Sequence, residues 1–283
     1  MWDFNSGKLK KKFKEHKKGV VCVKKFSKNN FASCSNDKTV RIWNLNNNQS
    51  MKTLKHTEGV VTVGFLDLKT MLSATHEIYL WDLETGKLIN QIKRNKKNMD
   101  INRIEIKSNF EFITCSNDRT IKIWDTRSQD NCAKYSWAAH EKEIECIKLL
   151  PENKLASGGR DETFQIWDLR TYKRIHYIKE NTCVWDLDLC DNGDIVSCTY
   201  EGSINLWREN QDTIKTYKTI TNAHDAREPA INRIKMFSNE TLVSCSNDNK
   251  IRYWDLKKWT SNNYIPKTFD KRHTTLDGIW CID

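Results

Sequence analysis

The chain has 283 residues, and 47 Lys+Arg against 37 Asp+Glu give it a formal net charge of +10. Hydrophobic residues at 38% and aromatics at 10% are enough to bury a sizeable core, which excludes a disordered chain. No run approaches the roughly 18 apolar residues of a membrane helix, so no membrane partner is expected. The start, Met1-Trp2-Asp3-Phe4, lacks the basic-then-apolar order of a secretory signal. Ten cysteines occur without a Cys-x-x-Cys spacing, which argues against a zinc cluster. Unpaired cysteines and no signal segment predict a reducing, intracellular location, cytoplasmic or nuclear.

In chain order, Trp2 to Leu9 reads as the end of one strand running into another. Gly19 to Val23 is an apolar strand, and a unit then begins that recurs six times. Its copies are Phe31–Asn44, Met71–Asp82, Phe112–Asp125, Leu155–Asp168, Ile195–Arg208 and Leu242–Asp255. Apolar residues flank a polar turn and then alternate into a tryptophan, as in Thr39-Val40-Arg41-Ile42-Trp43, the pattern of a half-buried strand. The tryptophans Trp2, Trp43, Trp81, Trp124, Trp167, Trp207 and Trp254 are separated by 41, 38, 43, 43, 40 and 47 residues. Asn and Asp in the turns take the left-handed or hydrogen-bonded geometries that Gly would otherwise supply, in keeping with only ten Gly. Apolar pairs three apart (Val20/Val23, Ile101/Ile104, Ile231/Ile234) predict a bulge in the first strand of each unit. His273 to Asp283 reads as one more such first strand. A lone four-stranded unit leaves apolar faces open, and radial stacking covers them.

The dipeptide Trp-Asp stands at Trp2, Trp81, Trp124, Trp167 and Trp254 and is altered to Trp43-Asn44 and Trp207-Arg208. On these residues the chain resembles the WD-repeat (Trp-Asp) β-propeller family over nearly its whole length. The resemblance implies an all-β, seven-bladed β-propeller of four-stranded antiparallel blades, forming one domain over residues 1–283. Residues 1–15 would supply the third and fourth strands of blade 7, residues 16–268 blades 1 to 6, and residues 273–283 the first strand of blade 7. Blade 7 would then be shared by the termini and lack about half its strands.

The resemblance also implies a buried hydrogen-bond network of His, Ser, Asp and Trp within a blade. The sets are His16, Ser33, Asp37 and Trp43; His140, Ser157, Asp161 and Trp167; and His224, Ser244, Asp248 and Trp254. The same residue types in contact would make a nucleophilic triad. Repetition at blade spacing reads as scaffold, so no catalytic residue, metal or cofactor is expected. The third and fifth repeats have no His before their first strand.

In this family the partner-binding face carries the loops entering each first strand and those between the second and third strands. Arg160, Trp185, Tyr200 and Trp280 are expected there, with Asn102 and Asn232; Trp, Tyr and Arg are frequent interface anchors. The segment Asp225 to Ala230 adds a longer loop. The function expected first is a non-enzymatic scaffold that binds partner peptides or domains. A second reading rests on Arg127 and Arg170, whose Trp-Asp-x-Arg setting resembles that of substrate receptors contacting a cullin–RING ubiquitin-ligase adaptor. A third rests on residues 1–30, where ten Lys face only Asp3 and Glu15: an RNA-associated assembly factor using a basic N-terminal third. Against it, the run from Lys8 to Lys18 reads as an outermost strand whose lysines guard an edge.

Overall fold

Six four-stranded sheets carry the fold, and no helix occurs among the described residues. The computed structural model describes residues 1, 8–93, 99–128, 130–210, 213–224, 229–238, 240–248, 250–256 and the backbone of 267–270. These sheets are the blades of a β-propeller, six among the described residues where seven are expected. Residues 273–283, the expected first strand of blade 7, lie outside the described residues. Residues 10–15, expected to belong to a fourth strand, form none. The amides of Lys10 and Lys11 instead donate to the Met1 carbonyl at 2.9 and 3.1 Å.

Two units make up the chain, residues 12–144 and residues 145–282 with 1–11. In the first, blade 1 is β1 (Val20–Lys25), β2 (Asn30–Ser35), β3 (Thr39–Asn44) and β4 (Ser50–Lys55). Blade 2 is β5 (Thr62–Phe65), β6 (Thr70–Ala74), β7 (Ile78–Asp82) and β8 (Leu88–Ile92). Blade 3 is β9 (Ile101–Ile106), β10 (Glu111–Ser116), β11 (Thr120–Asp125) and β12 (Tyr135–Ala138). Val40, Ile42 and Leu54 of blade 1 share a core with Val63, Met71 and Trp81 of blade 2. Ile78 and Ile92 of blade 2 pack with Ile104, Phe112 and Trp124 of blade 3. Each blade thus covers the apolar face of its neighbour, at about 1.5–3 kcal/mol per large side chain buried.

The second unit repeats the plan. Blade 4 is β13 (Ile144–Leu150), β14 (Lys154–Gly159), β15 (Thr163–Asp168) and β16 (Lys173–Lys179). Blade 5 is β17 (Val184–Leu189), β18 (Ile195–Thr199), β19 (Ile204–Asn210) and β20 (Thr213–Ile220). Blade 6 is β21 (Ile231–Ser238), β22 (Thr241–Ser246), β23 (Lys250–Asp255) and β24 (Lys267–Asp270). Cys146, Phe164 and Ile166 pack on Val184, Ile195 and Trp207, and Cys198 and Leu206 pack on Ile231, Ile234 and Trp254. Buried carboxylates on β17 tie neighbouring first strands together. Asp186 accepts from the Ile234 amide at 3.0 Å and Asp188 from the Met236 amide at 2.8 Å. The other Asp188 oxygen meets the Lys148 ammonium at 2.6 Å. Each carboxylate satisfies a backbone donor that β-pairing leaves open.

Turn chemistry differs from expectation in one respect. The left-handed backbone falls on the residue after the turn Asp, at Lys38 (φ 70°), Arg119 (φ 67°) and Glu162 (φ 64°), and not on the Asn or Asp of those turns; elsewhere Asn131, Asn153 and Asn222 take it. The Asp holds the turn through its carboxylate: Thr39 N and Oγ1 donate to Asp37 Oδ1 at 3.0 and 2.6 Å, and Thr120 N donates to Asp118 at 3.0 Å. In blade 5 the left-handed residue is Gly202 (φ 79°), where a Cβ would also lie 2.8 Å from the Pro229 carbonyl oxygen. The bulge read from the sequence is present. The β1, β9, β17 and β21 registers skip one residue, at Val21, Asn102, Trp185 and Asn232.

Candidate interaction face

Inside the blades, Trp43 Nε1 donates to Ser33 Oγ at 2.8 Å and His16 Nε2 shares a 2.7 Å hydrogen bond with the same oxygen. His16 Nδ1 lies 2.8 Å from Asp37 Oδ2. Blade 6 repeats this set with His224, Ser244, Asp248 and Trp254 at 2.7–2.9 Å. In blade 4, Trp167 donates to Ser157 at 2.9 Å, Thr163 donates to Asp161 and His140 is buried. The spacing is that of a Ser-His-Asp triad, but a nucleophile must reach a substrate. Ser33, Ser157 and Ser244 are all buried, and each hydroxyl already accepts from an indole. Burial pushes the Asp37 carboxyl up, but donors from Thr39, the Lys17 amide and His16 outweigh it and hold the group at about 2.

Blade 5 contains a member that the sequence reading passes over. Glu180, 8% exposed, accepts from Ser197 Oγ at 2.9 Å and from Asn205 Nδ2 at 2.9 and 3.1 Å. Trp207 in turn donates to Ser197 at 2.9 Å. Glu180 precedes its Ser by 17 residues, as His16 precedes Ser33 and His56 precedes Ser73. That offset is the signal that reveals it.

Blade 2 supplies a titratable member. His56 Nε2 lies 2.7 Å from Ser73 Oγ, and burial pulls the imidazole down to about 4. With a folded value below the unfolded one, the neutral ring's contribution is whole above about 6.5 and is lost as pH falls toward 4. Between about pH 7 and 5 the wild-type chain is expected to lose about 2 kcal/mol more stability than a His56→Gln variant. Urea midpoints at the two pH values check this, and parallel losses would remove His56 from the acid response.

On the surface of blades 4 and 5 the structure gathers three of the expected anchors. The Arg160 guanidinium sits over the Trp185 ring, 5.7 Å from its centroid. Trp185 stacks on Tyr200 with centroids 6.1 Å apart and planes 25° apart. Trp185 occupies the β17 bulge, which turns its side chain out of the regular alternation. The buried Glu145 carboxylate accepts from Arg160 Nε at 2.5 Å and fixes the guanidinium over the ring. The Arg160 side chain remains 47% exposed and Tyr200 51% exposed. The result is an ordered cation–aromatic surface.

Other expected face residues are placed differently. Asn232 is 1% exposed and donates to Asn247 Oδ1 at 2.8 Å. Asn102 donates to Asn117 Oδ1 and to the Ile144 carbonyl, both at 2.8 Å. These bulge amides are spent on internal turns. Trp280 and residues 225–228 lie outside the described residues. Arg127 grips its own repeat's Asp125 at 2.9 and 2.6 Å, and Arg170 grips Asp168 at 3.1 and 3.2 Å. Donation from Arg127 holds the Asp125 carboxyl at about 2.

Comparison with known proteins places this geometry. The profile for "Nucleolar protein 10-like, N-terminal domain", a β-propeller, matches residues 66–254, and that for "WD domain, G-beta repeat" matches residues 7–44. Protein tipD of Dictyostelium discoideum is 28% identical over 238 residues, covering 80% of this chain and 38% of that protein. Protein SOF1 of Saccharomyces cerevisiae is 21% identical over 273 residues, covering 89% and 54%. The "Ribosome biogenesis protein WDR12 homolog" of Drosophila mojavensis is 23% identical over 232 residues, covering 73% and 55%. The chain therefore spans between 38% and 55% of the length of these three relatives. With the greater part of its length matched, the chain belongs to the nucleolar protein 10-like N-terminal domain family of WD-repeat β-propellers.

Proposed function

We propose that the chain is a non-catalytic scaffold that holds a partner protein on the Arg160–Trp185–Tyr200 surface. The observation that carries this reading is the stack itself: three anchor-type side chains, pre-positioned by Glu145 and by a bulge, with Arg160 and Tyr200 exposed and Trp185 partly buried. A rigid, exposed Trp/Tyr/Arg cluster loses little side-chain entropy on binding, the property of interface hot spots. Affinity capture from a source-cell lysate tests it. The Arg160→Ala/Tyr200→Ala variant should lose most of the partner captured by the wild-type chain, on the order of a hundredfold in affinity at about 1–2 kcal/mol for each of the two anchors. An unchanged set of partners would reject the surface.

A second reading narrows the setting. The matched family is described as nucleolar, and one relative is named a ribosome biogenesis protein. On that reading the scaffold works in the nucleus, within an assembling ribonucleoprotein. The same capture reads it, through ribosomal assembly proteins among the wild-type partners.

A further inference from the structure

The lysine run before blade 1 is not on a strand: from Lys10 to Gly19 the backbone forms none. Protection of a sheet edge therefore does not account for it. Three side chains clamp the segment along blade 1 instead. Phe13 packs edge-on against Phe31 and Trp43, with centroids 5.0 and 5.3 Å away. Glu15 accepts from Arg41, and from Ser50 N and Oγ at 2.7 and 2.6 Å. His16 joins the blade's internal network. Between and beyond these anchors, Lys12, Lys14, Lys17 and Lys18 stay exposed.

Folding adds two more lysines that are distant in sequence. The Lys17 amide donates to Asp37 at 2.9 Å, and Ser35 Oγ donates to the Lys18 carbonyl at 3.2 Å, which seats both lysines beside the β2–β3 turn. Lys38 lies in that turn, and its carbonyl accepts from the His56 amide at 2.9 Å. Lys55 pairs with Thr39 across β3 and β4. Lys38 and Lys55 are exposed. Nearby carboxylates are already engaged: Asp37 by His16 and Thr39, Glu15 by Arg41, Glu58 by His76.

We propose that Lys12, Lys14, Lys17, Lys18, Lys38 and Lys55 form a ledge that docks the phosphate backbone of RNA. Protein interfaces are depleted in Lys and built on Trp, Tyr and Arg anchors. This ledge has lysine alone, with its one aromatic, Phe13, turned against Phe31 and Trp43. Lysine ammonium groups are compact point charges suited to phosphate. With no group among the described residues of the ledge placed to stack on or read a base, recognition is by charge and independent of sequence. The proposal does not depend on the Arg160–Trp185–Tyr200 surface or on a nuclear location.

Fluorescence anisotropy with a short, mixed-sequence single-stranded RNA tests it, at salt between about 50 and 200 mM. Six phosphates neutralised predict a slope of log K against log salt of about −4. The Lys17→Gln/Lys18→Gln/Lys38→Gln variant should lower the slope to about −2 and weaken binding at least about tenfold. A second variant, Lys12→Gln/Lys14→Gln/Lys55→Gln, should do the same. A control of equal charge loss, Lys173→Gln/Lys179→Gln/Lys215→Gln, should leave the slope unchanged. Equal losses in ledge and control variants would show mere net charge and overturn the proposal. Poly-glutamate binding as tightly as RNA at equal salt would also overturn it, as the mark of a surface for acidic protein.

Discussion

Replacing Glu180 by Ala is expected to destabilise the fold by about 3 kcal/mol, because two buried donors are left without an acceptor at about 1–3 kcal/mol each. Those donors are the Ser197 hydroxyl and the Asn205 amide, both in the interior of blade 5. Chemical denaturation measures the loss, and a change under about 0.5 kcal/mol would mean that the network carries no stability. Glu180→Gln separates charge from hydrogen bonding. Burial raises the Glu180 carboxyl above the usual range, against the opposing donation from Ser197 and Asn205. With a folded value above the unfolded one, its contribution is whole below the ordinary carboxylate range and falls as pH rises through the folded value. Relative to Glu180→Gln, the wild-type chain should therefore lose stability as pH rises from the ordinary carboxylate range through the folded value, the reverse of the His56 trend. The variant retains a side chain able to accept from Ser197.

Gly158→Cys should also destabilise, by about 2 kcal/mol, although Cys34, Cys115, Cys198 and Cys245 hold the matching place in four other blades. At Gly158 a Cβ would lie 2.6 Å from Val184 Cγ1 and 2.8 Å from Cys146 Sγ, in a site where both neighbours are fully buried. Neither neighbour is the far end of a long side chain that swings aside, so blade 4 and blade 5 must separate to admit the atom. A consensus argument predicts stabilisation from the same substitution. The shift in denaturation midpoint decides between them, and an unchanged or higher midpoint would contradict the packing account.

The blades are legible in the sequence because five of the six place Trp, Ser or Thr, and a polar turn at one spacing, and blade 2 shortens it by two residues. Trp Nε1 must find a buried acceptor, and the Ser ten residues earlier provides it in blades 1, 4, 5 and 6. Glu180 escapes a reading by residue type because a carboxylate there does the work of an imidazole. The left-handed position falls on Lys38, not Asn36 or Asp37, because the Asp37 carboxylate, accepting from Thr39 N and Oγ1, fixes the turn one residue earlier. Asn102 and Asn232 read as surface polar residues, yet the bulge turns their amides onto neighbouring Asn side chains. The basic run resembles an edge strand in one dimension. Phe13 and Glu15 find partners on blade 1, from Phe31 to Ser50, and this makes it a clamp. Among the candidate anchors, repeat position and residue type together select Arg160, Trp185 and Tyr200, with Trp280 outside the described residues. Their stacking order depends on Glu145, whose role no local pattern announces.

On the proposed function, partner binding uses the face of blades 4 and 5 and not the outer strands. Site-specific photo-crosslinking tests it most directly, with a benzophenone amino acid placed in turn at Tyr200, at Tyr177 on β16 and at Tyr217 on β20. All three positions are exposed, so differences in labelling report the partner and not accessibility. One discrete crosslinked protein is expected from position 200 and none from 177 or 217, with Arg160→Ala abolishing the adduct. Crosslinks from 177 or 217 with none from 200 would contradict it.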